Sequence, residues 1–197
     1  MLCIGLTGPT GSGKTMAALW LAERGAAVID CDLLARRVTA PGSPTLAKLA
    51  EVFGKEILAE DGTLDRALLA KRAFSDTEAT KRLNAVTHPA ILALVAAQLD
   101  ELRAADTAVA VIDAPLLYES GLDRICDGVL AVLADREVRL RRICERDGID
   151  REAGLRRMAA QPDDDFYLSR GAVAVRNDGD LTALSDLLRT ATARWMP

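Results

Sequence analysis

The residues with the clearest chemical potential form one run, Gly8-Pro9-Thr10-Gly11-Ser12-Gly13-Lys14-Thr15, which satisfies the pattern Gly-x-x-x-x-Gly-Lys-Ser/Thr. Gly8, Gly11 and Gly13 permit turns that a Cβ would forbid, so successive N–H groups, those of Thr10 and Ser12 among them, converge on a phosphate chain. Lys14 brings a compact positive charge to the β- and γ-phosphates, and the Thr15 hydroxyl is a ligand for Mg²⁺. A helix opening near Lys14 adds further unpaired N–H groups, including that of Met16, and its positive dipole end. The chemistry implied is the binding of a nucleoside triphosphate.

Other chemistry-bearing residues are more dispersed. Asp30 and Asp32 follow a short apolar run, and Asp113 ends another; in open α/β sheets the carboxyl ends of strands face the ligand crevice. Asp32 either faces that crevice or N-caps the helix that follows. Arg36, one turn on, either meets an anionic ligand or pairs with Asp32. Asp113 stands where phosphate-loop proteins place a carboxylate that orients magnesium and its water. Leu116-Leu117-Tyr118, just beyond, have the character of a pocket wall. His88, the only imidazole, sits before Pro89 and reads more readily as a packed turn residue than as a base. Arginine is dense from Arg136 to Arg157. Arg139, Arg142 and Arg146 share one helical face, acidic partners look sparse, and bidentate guanidinium groups suit phosphate oxygens. Asn177 ends the last apolar run, either to touch adenine or to take positive φ in a turn.

These residues require a framework of strands and helices. Apolar runs at 2–6, 26–29, 108–112, 128–133 and 172–175 predict buried parallel strands, and 3.6-residue periodicity between them predicts helices. The first helix, 16–24, is stopped by Gly25. From 45 to 104 the pattern is helical: 45–53 closing at Gly54, 66–74, 77–86 opening after Asp76, then a break at Thr87-His88-Pro89 before 90–104. Residues 56–58 carry the only strand-like pattern in this block. The segment 161–165 reads as a polar, mobile loop that, with the arginine-rich helices, has the makings of a lid over the triphosphate. The fold class expected is α/β: a three-layer α/β/α phosphate-loop core with a parallel sheet, a helical insertion and a helical lid.

Composition narrows the function. The chain has 197 residues, half of them hydrophobic, with a net charge of −4. That balance argues against a nucleic-acid partner or an anionic membrane surface. The four cysteines are widely spaced with no Cys-x-x-Cys pair, so free thiols in a reducing compartment are expected rather than a zinc site. No apolar stretch reaches membrane-spanning length, and the first apolar run leads straight into the glycine loop; a cytoplasmic protein, monomeric or weakly self-associating, is expected. No Asn-Lys-x-Asp guanine-reading motif and no Leu-Ser-Gly-Gly-Gln stretch occurs. A small-molecule kinase fits best; a nucleotide-dependent switch is the alternative of another class.

The chain resembles the dephospho-CoA kinase family nearly end to end. The resemblance is carried by Gly8 to Thr15, by Asp30, Asp32 and Arg36, by Pro41-Gly42, Phe53-Gly54 and Asp61 to Arg66, by His88 to Ile91, and by Asp113 to Glu119. Arg142, Arg146 and the Arg157 to Gln161 element resemble the family's lid. Gly171-Ala172 departs from the family's usual Ala-Asp pair. The resemblance implies transfer of the γ-phosphate of ATP, with Mg²⁺, to the ribose 3′-hydroxyl of dephospho-CoA. It implies Asp32 as base, and Lys14 and Arg142 as neutralisers of the transferring group. Mg²⁺ would be held by Thr15 and, through water, by Asp113. Arg36, His88, Leu116, Leu117, Tyr118 and Glu119 would belong to the acceptor site, and Arg146 and Asn177 would lie near the nucleotide. In these terms 33–105 is the acceptor-binding insertion and 136–171 the lid region.

Overall fold

Local sequence rules account for most element boundaries. Aspartate and serine side chains open the helices by accepting orphan N–H groups: Asp30 from Leu33, Ser43 from Leu46, Asp65 from Leu68, Asp76 from Ala79, Asp150 from Ala153 and Asp180 from Ala183. The computed structural model describes residues 1–196. In chain order the elements are β1 (Leu2–Thr7), α1 (Lys14–Ala22), β2 (Ala27–Asp30), α2 (Cys31–Val38), α3 (Pro44–Phe53), α4 (Arg66–Ala73), α5 (Thr77–Ala104), β3 (Val109–Asp113), β4 (Gly128–Leu133), α6 (Arg136–Asp147), α7 (Arg151–Ala159), α8 (Asp164–Leu168), β5 (Val173–Arg176) and α9 (Leu181–Thr192). They form two units: residues 1–29 with 102–196, and Asp30–Glu101.

The first unit is built on a sheet in the order β2-β3-β1-β4-β5. β1 runs parallel to both β3 and β4, and β4 to β5. The register Leu6↔Asp113 sets that carboxylate level with the end of β1, one residue before the glycine loop departs. Alternation sorts the side chains onto two faces. Ile4, Leu6, Val111, Leu130, Val132 and Val175 are buried against Ala17, Trp20 and Leu21 of α1 and Leu184 and Leu188 of α9. On the opposite face Ala131 and Leu133 pack on Tyr167 of α8, with Tyr118, Phe166 and Ala172 around it. The α/β expectation is met, with helices on both faces. The segment 161–165 is only partly a loop: Asp163 caps the short α8, and Gly171, at φ 77°, turns the chain into β5.

The second unit is helical. Leu49, Phe53, Ile57, Leu69, Ala73 and Ala79 make its core. The strand-like 56–58 pattern becomes a 3₁₀ turn, Lys55–Ile57, followed by a single bridge from Leu58 to Leu64. The expected break at His88-Pro89 is absent: α5 runs unbroken for 28 residues with Pro89 inside it. Proline deprives one carbonyl, that of Ala85, of its helix bond, and both Ala85 and Pro89 are exposed. Among the described residues no helix is long and apolar enough to cross a membrane.

Candidate active site

The glycine loop joins β1 to α1, and its shape follows from what holds its carbonyl groups. Arg139 Nε donates to Thr10 O at 3.0 Å. Arg142 Nη1 reaches Gly11 O at 3.4 Å and Ser12 O at 3.5 Å, and Asn177 Nδ2 donates to Ser12 O at 2.7 Å. In a planar trans peptide the N–H points opposite to the C=O. Three successive carbonyls turned towards these side chains therefore direct the next N–H groups, on Gly11, Ser12 and Gly13, the other way. Ser12 N–H closes the loop on Pro9 O at 3.2 Å. Gly8 (φ 146°) and Gly13 (φ 96°) have no room for a Cβ, which would strike Val132 O at one and Asn177 Nδ2 at the other. Gly13 then N-caps α1, so the helix dipole opens at the loop. The Ser12 hydroxyl is buried with no hydrogen-bond partner among the described residues.

Ser12, whose N–H is bonded to Pro9 O, departs from the simple expectation of amides that all converge, and so does Thr10. The Thr10 N–H is taken by Gln161 Oε1 at 2.8 Å. Gln161, from the lid-like Arg157 to Gln161 element, and the buried Arg139, from the arginine-bearing face, thus hold the loop through its backbone at Thr10.

Lys14 Nζ donates to Asp113 Oδ1, and the two side chains are only 15% and 11% exposed. A primary ammonium and a carboxylate so paired, beside an array of N–H groups, suit an anion with an associated cation. Thr15 and Met16 are exposed in the first turn of α1. Among the described residues no cluster of three His, Cys, Asp or Glu side chains could cage a metal. A hydroxyl and one or two carboxylates are the donor set of a Mg²⁺ ion that also takes phosphate oxygens and water, and Thr15 and Asp113 fit it.

The arginine-rich stretch is better compensated than its sequence suggests. Asp147 pairs with both Arg146 and Arg157, Glu137 with Arg151, and Glu152 with Arg156. Two of these pairs, Arg151–Glu137 and Arg157–Asp147, cross the α6–α7 hairpin; the other two are local in sequence. The adjoining Arg146 guanidinium holds the Asp147 carboxyl below the usual carboxylate range. Arg139, Arg142 and Arg146 do share a face, and it is turned to the loop: Arg146 Nη2 lies 3.4 Å from Thr10 Oγ1, and Arg142 Nη1 also donates to Asn177 O at 2.9 Å. Asn177 is 6% exposed and, among the described non-glycine residues, only Asp106 has positive φ. The turn reading of Asn177 is therefore replaced by one in which it braces Ser12 and Gly13.

Of the pocket-wall residues, Leu116 is half-exposed and Glu119 exposed, while Leu117 is fully buried under Gly5, where a Cβ would come within 2.6 Å of its Cδ2. Leu117 supports β1 from within the core, which corrects its placement in a pocket wall. Tyr118 stacks edge-on against Phe166, with ring centroids 5.7 Å apart. In the second unit Asp30, not Asp32, is the N-cap of α2, leaving Asp32 exposed in the first turn and Arg36 exposed one turn on. His88 is half-buried within α5, and burial lowers its pKa from the ordinary value.

Comparison with known proteins agrees with this geometry. The profile of the dephospho-CoA kinase family matches residues 2–183. A dephospho-CoA kinase of Syntrophotalea carbinolica is 43% identical over 197 residues, all of this chain and 93% of that protein. One from Corynebacterium glutamicum is 47% identical over 184 residues, 93% of this chain and 92% of its own. The crystal structure of TT1252 from Thermus thermophilus superposes with a TM-score of 0.84 at 33% identity, covering 100% of this chain and 98% of that one. With family-wide similarity along almost its whole length and a glycine loop braced for phosphate, the chain belongs to the dephospho-CoA kinase family.

Proposed function

We propose that this chain transfers the γ-phosphate of ATP to the ribose 3′-hydroxyl of dephospho-CoA, giving coenzyme A in the last step of its synthesis. The observation that carries the reading is the loop itself: outward-held carbonyls, inward N–H groups and Lys14 paired to Asp113 make a preorganised anion site at the end of β1. Because its donors are already oriented, stabilising the developing charge on the phosphoryl group requires little reorganisation. Lys14 binds the β- and γ-phosphates, and Arg142, whose bonds to the loop all run from Nη1, is the second neutralising group. Held by Thr15 and, through water, by Asp113, Mg²⁺ would add a Lewis acid that offsets phosphate charge.

Asp32 is the proposed base for the 3′-hydroxyl proton; with Asp30 serving as the cap, its carboxylate is not needed to start α2. Arg36, His88, Leu116, Tyr118 and Glu119 are the proposed acceptor contacts, 33–105 the acceptor-binding insertion and 136–171 the lid. Arg146 stays assigned to the nucleotide, whereas Asn177 is assigned to holding the loop. A cytoplasmic location is part of the same proposal.

The test is magnesium-dependent ADP formation with ATP alone, with dephospho-CoA, and with shikimate, gluconate or AMP as control acceptors. Stimulation by dephospho-CoA only, with coenzyme A rising in step with ADP, is the expected result. Stimulation by a control acceptor overturns the acceptor assignment. A slow rate indifferent to every acceptor in folded protein favours a nucleotide switch.

A further inference from the structure

We propose that Gln161, anchored by Arg139, is a positioning residue that sets the phosphate loop and ties its shape to the α6–α7 hairpin. The inference rests on the ATP-binding reading of that loop. Thr10 is the third residue of the loop, and both of its backbone polar groups are held from outside: its N–H by Gln161 Oε1 at 2.8 Å and its C=O by Arg139 Nε at 3.0 Å. Arg139 Nη2 lies 3.5 Å from the same Gln161 oxygen, so the two side chains form one clasp. Arg139 comes from α6, and Gln161 lies just past the end of α7, its own N–H bonded to Met158 O. The hairpin between them is packed as a unit on Leu140, Ile143 and Met158.

Two features show that this is more than loop anchoring. First, holding both ends of Thr10 fixes the peptide planes on either side of it, and the following plane carries the Gly11 N–H that faces the anion site. Second, both clasp side chains, with Met158 and Arg176, line a cavity of about 490 Å³. Gln161 therefore has space to withdraw when the hairpin moves, releasing Thr10. A hairpin in place orders the loop; a displaced hairpin slackens it, so affinity for triphosphate reports the hairpin's position.

Gln161→Met keeps length and removes the acceptor, whereas Gln161→Glu keeps an oxygen for Thr10 N–H and a partner for Arg139. Steady-state kinetics and binding of a non-hydrolysable ATP analogue are measured for wild type and both variants, with thermal melting alongside. Loss of the clasp in Gln161→Met should raise the ATP KM and the analogue Kd about tenfold, leaving the dephospho-CoA KM within about twofold. Gln161→Glu should restore ATP affinity to within about threefold of wild type, with both variants melting near it. Unchanged ATP affinity in Gln161→Met, or equal loss in the two variants, overturns the proposal. Absence of analogue binding in the wild type would instead overturn the function on which it rests.

Discussion

Replacing Gly13 by alanine tests the bracing of the loop most directly, because the cost divides into two parts that a second substitution separates. At φ 96° any Cβ carries a penalty of about 1–2 kcal/mol. The new methyl also collides with Asn177 Nδ2, an overpacking cost of about 1–3 kcal/mol. Gly13→Ala should therefore destabilise by about 2–5 kcal/mol in total. Asn177→Ala alone loses the 2.7 Å bond to Ser12 O, while the backbone bond from Asn177 N–H to Leu133 O does not depend on its side chain. Arg142 Nη1 remains near Ser12 O, so the loss should be about 1–2 kcal/mol. In the double variant nothing remains at 177 for the methyl to strike, and only the φ penalty adds to the Asn177 loss.

The cycle should thus show a coupling of about 1–3 kcal/mol, the double variant being more stable than the sum of the single changes predicts. Urea unfolding is the assay, followed by tryptophan fluorescence. Both tryptophans report on the unit that carries the loop: Trp20 donates to Ser185 at 2.8 Å, and Trp195 lies over Gly128. Additivity to within about 0.5 kcal/mol would refute the claim that Asn177 occupies the space beside Gly13.

Further outcomes follow from the site. Lys14→Ala should lower kcat about 10²–10³-fold in the coupled ADP assay, since it removes a charge aimed at the transferring group; a loss under about tenfold would argue that Lys14 mainly balances Asp113. Asp32→Asn should lower kcat by roughly 10²-fold or more with the ATP KM nearly unchanged, and near-normal turnover would exclude it as the base. His88, being the only histidine, gives one imidazole resonance whose NMR titration should have its midpoint below the ordinary value of about 6.5. Because burial lowers its folded-state pKa, the stability it contributes is whole above about pH 6.5 and is lost as pH falls through the folded value. A midpoint at or above 6.5 would contradict the packing of His88 within α5.

The parts of this protein legible in its sequence are those governed by local rules. The strand, glycine loop and helix from residue 2 to 22 follow from the need for N–H groups at a phosphate, and Asp76 opens its helix by the ordinary cap rule. Local rules also explain where the sequence leaves choices open. Asp30 and Asp32 are both short carboxylates before a helix, and only the extended backbone at Asp30 selects it as the cap. Pro89 signals a break, yet α5 continues through it where Pro89 and Ala85, one turn before it, are both exposed. What local rules cannot reach is the set of side chains holding the loop's backbone, for Thr10 meets Gln161 across 151 positions and Ser12 meets Asn177 across 165. The motif names residues that offer N–H groups to the ligand and is silent on their carbonyls. Yet the planar peptide makes one orientation the consequence of the other, so Arg139, Arg142 and Asn177 are as much determinants of the anion site as the glycines. A chain with the motif but without those three donors should fold a loop of the right length whose N–H groups are not fixed in direction, and the Gly13–Asn177 cycle measures one link in that bracing.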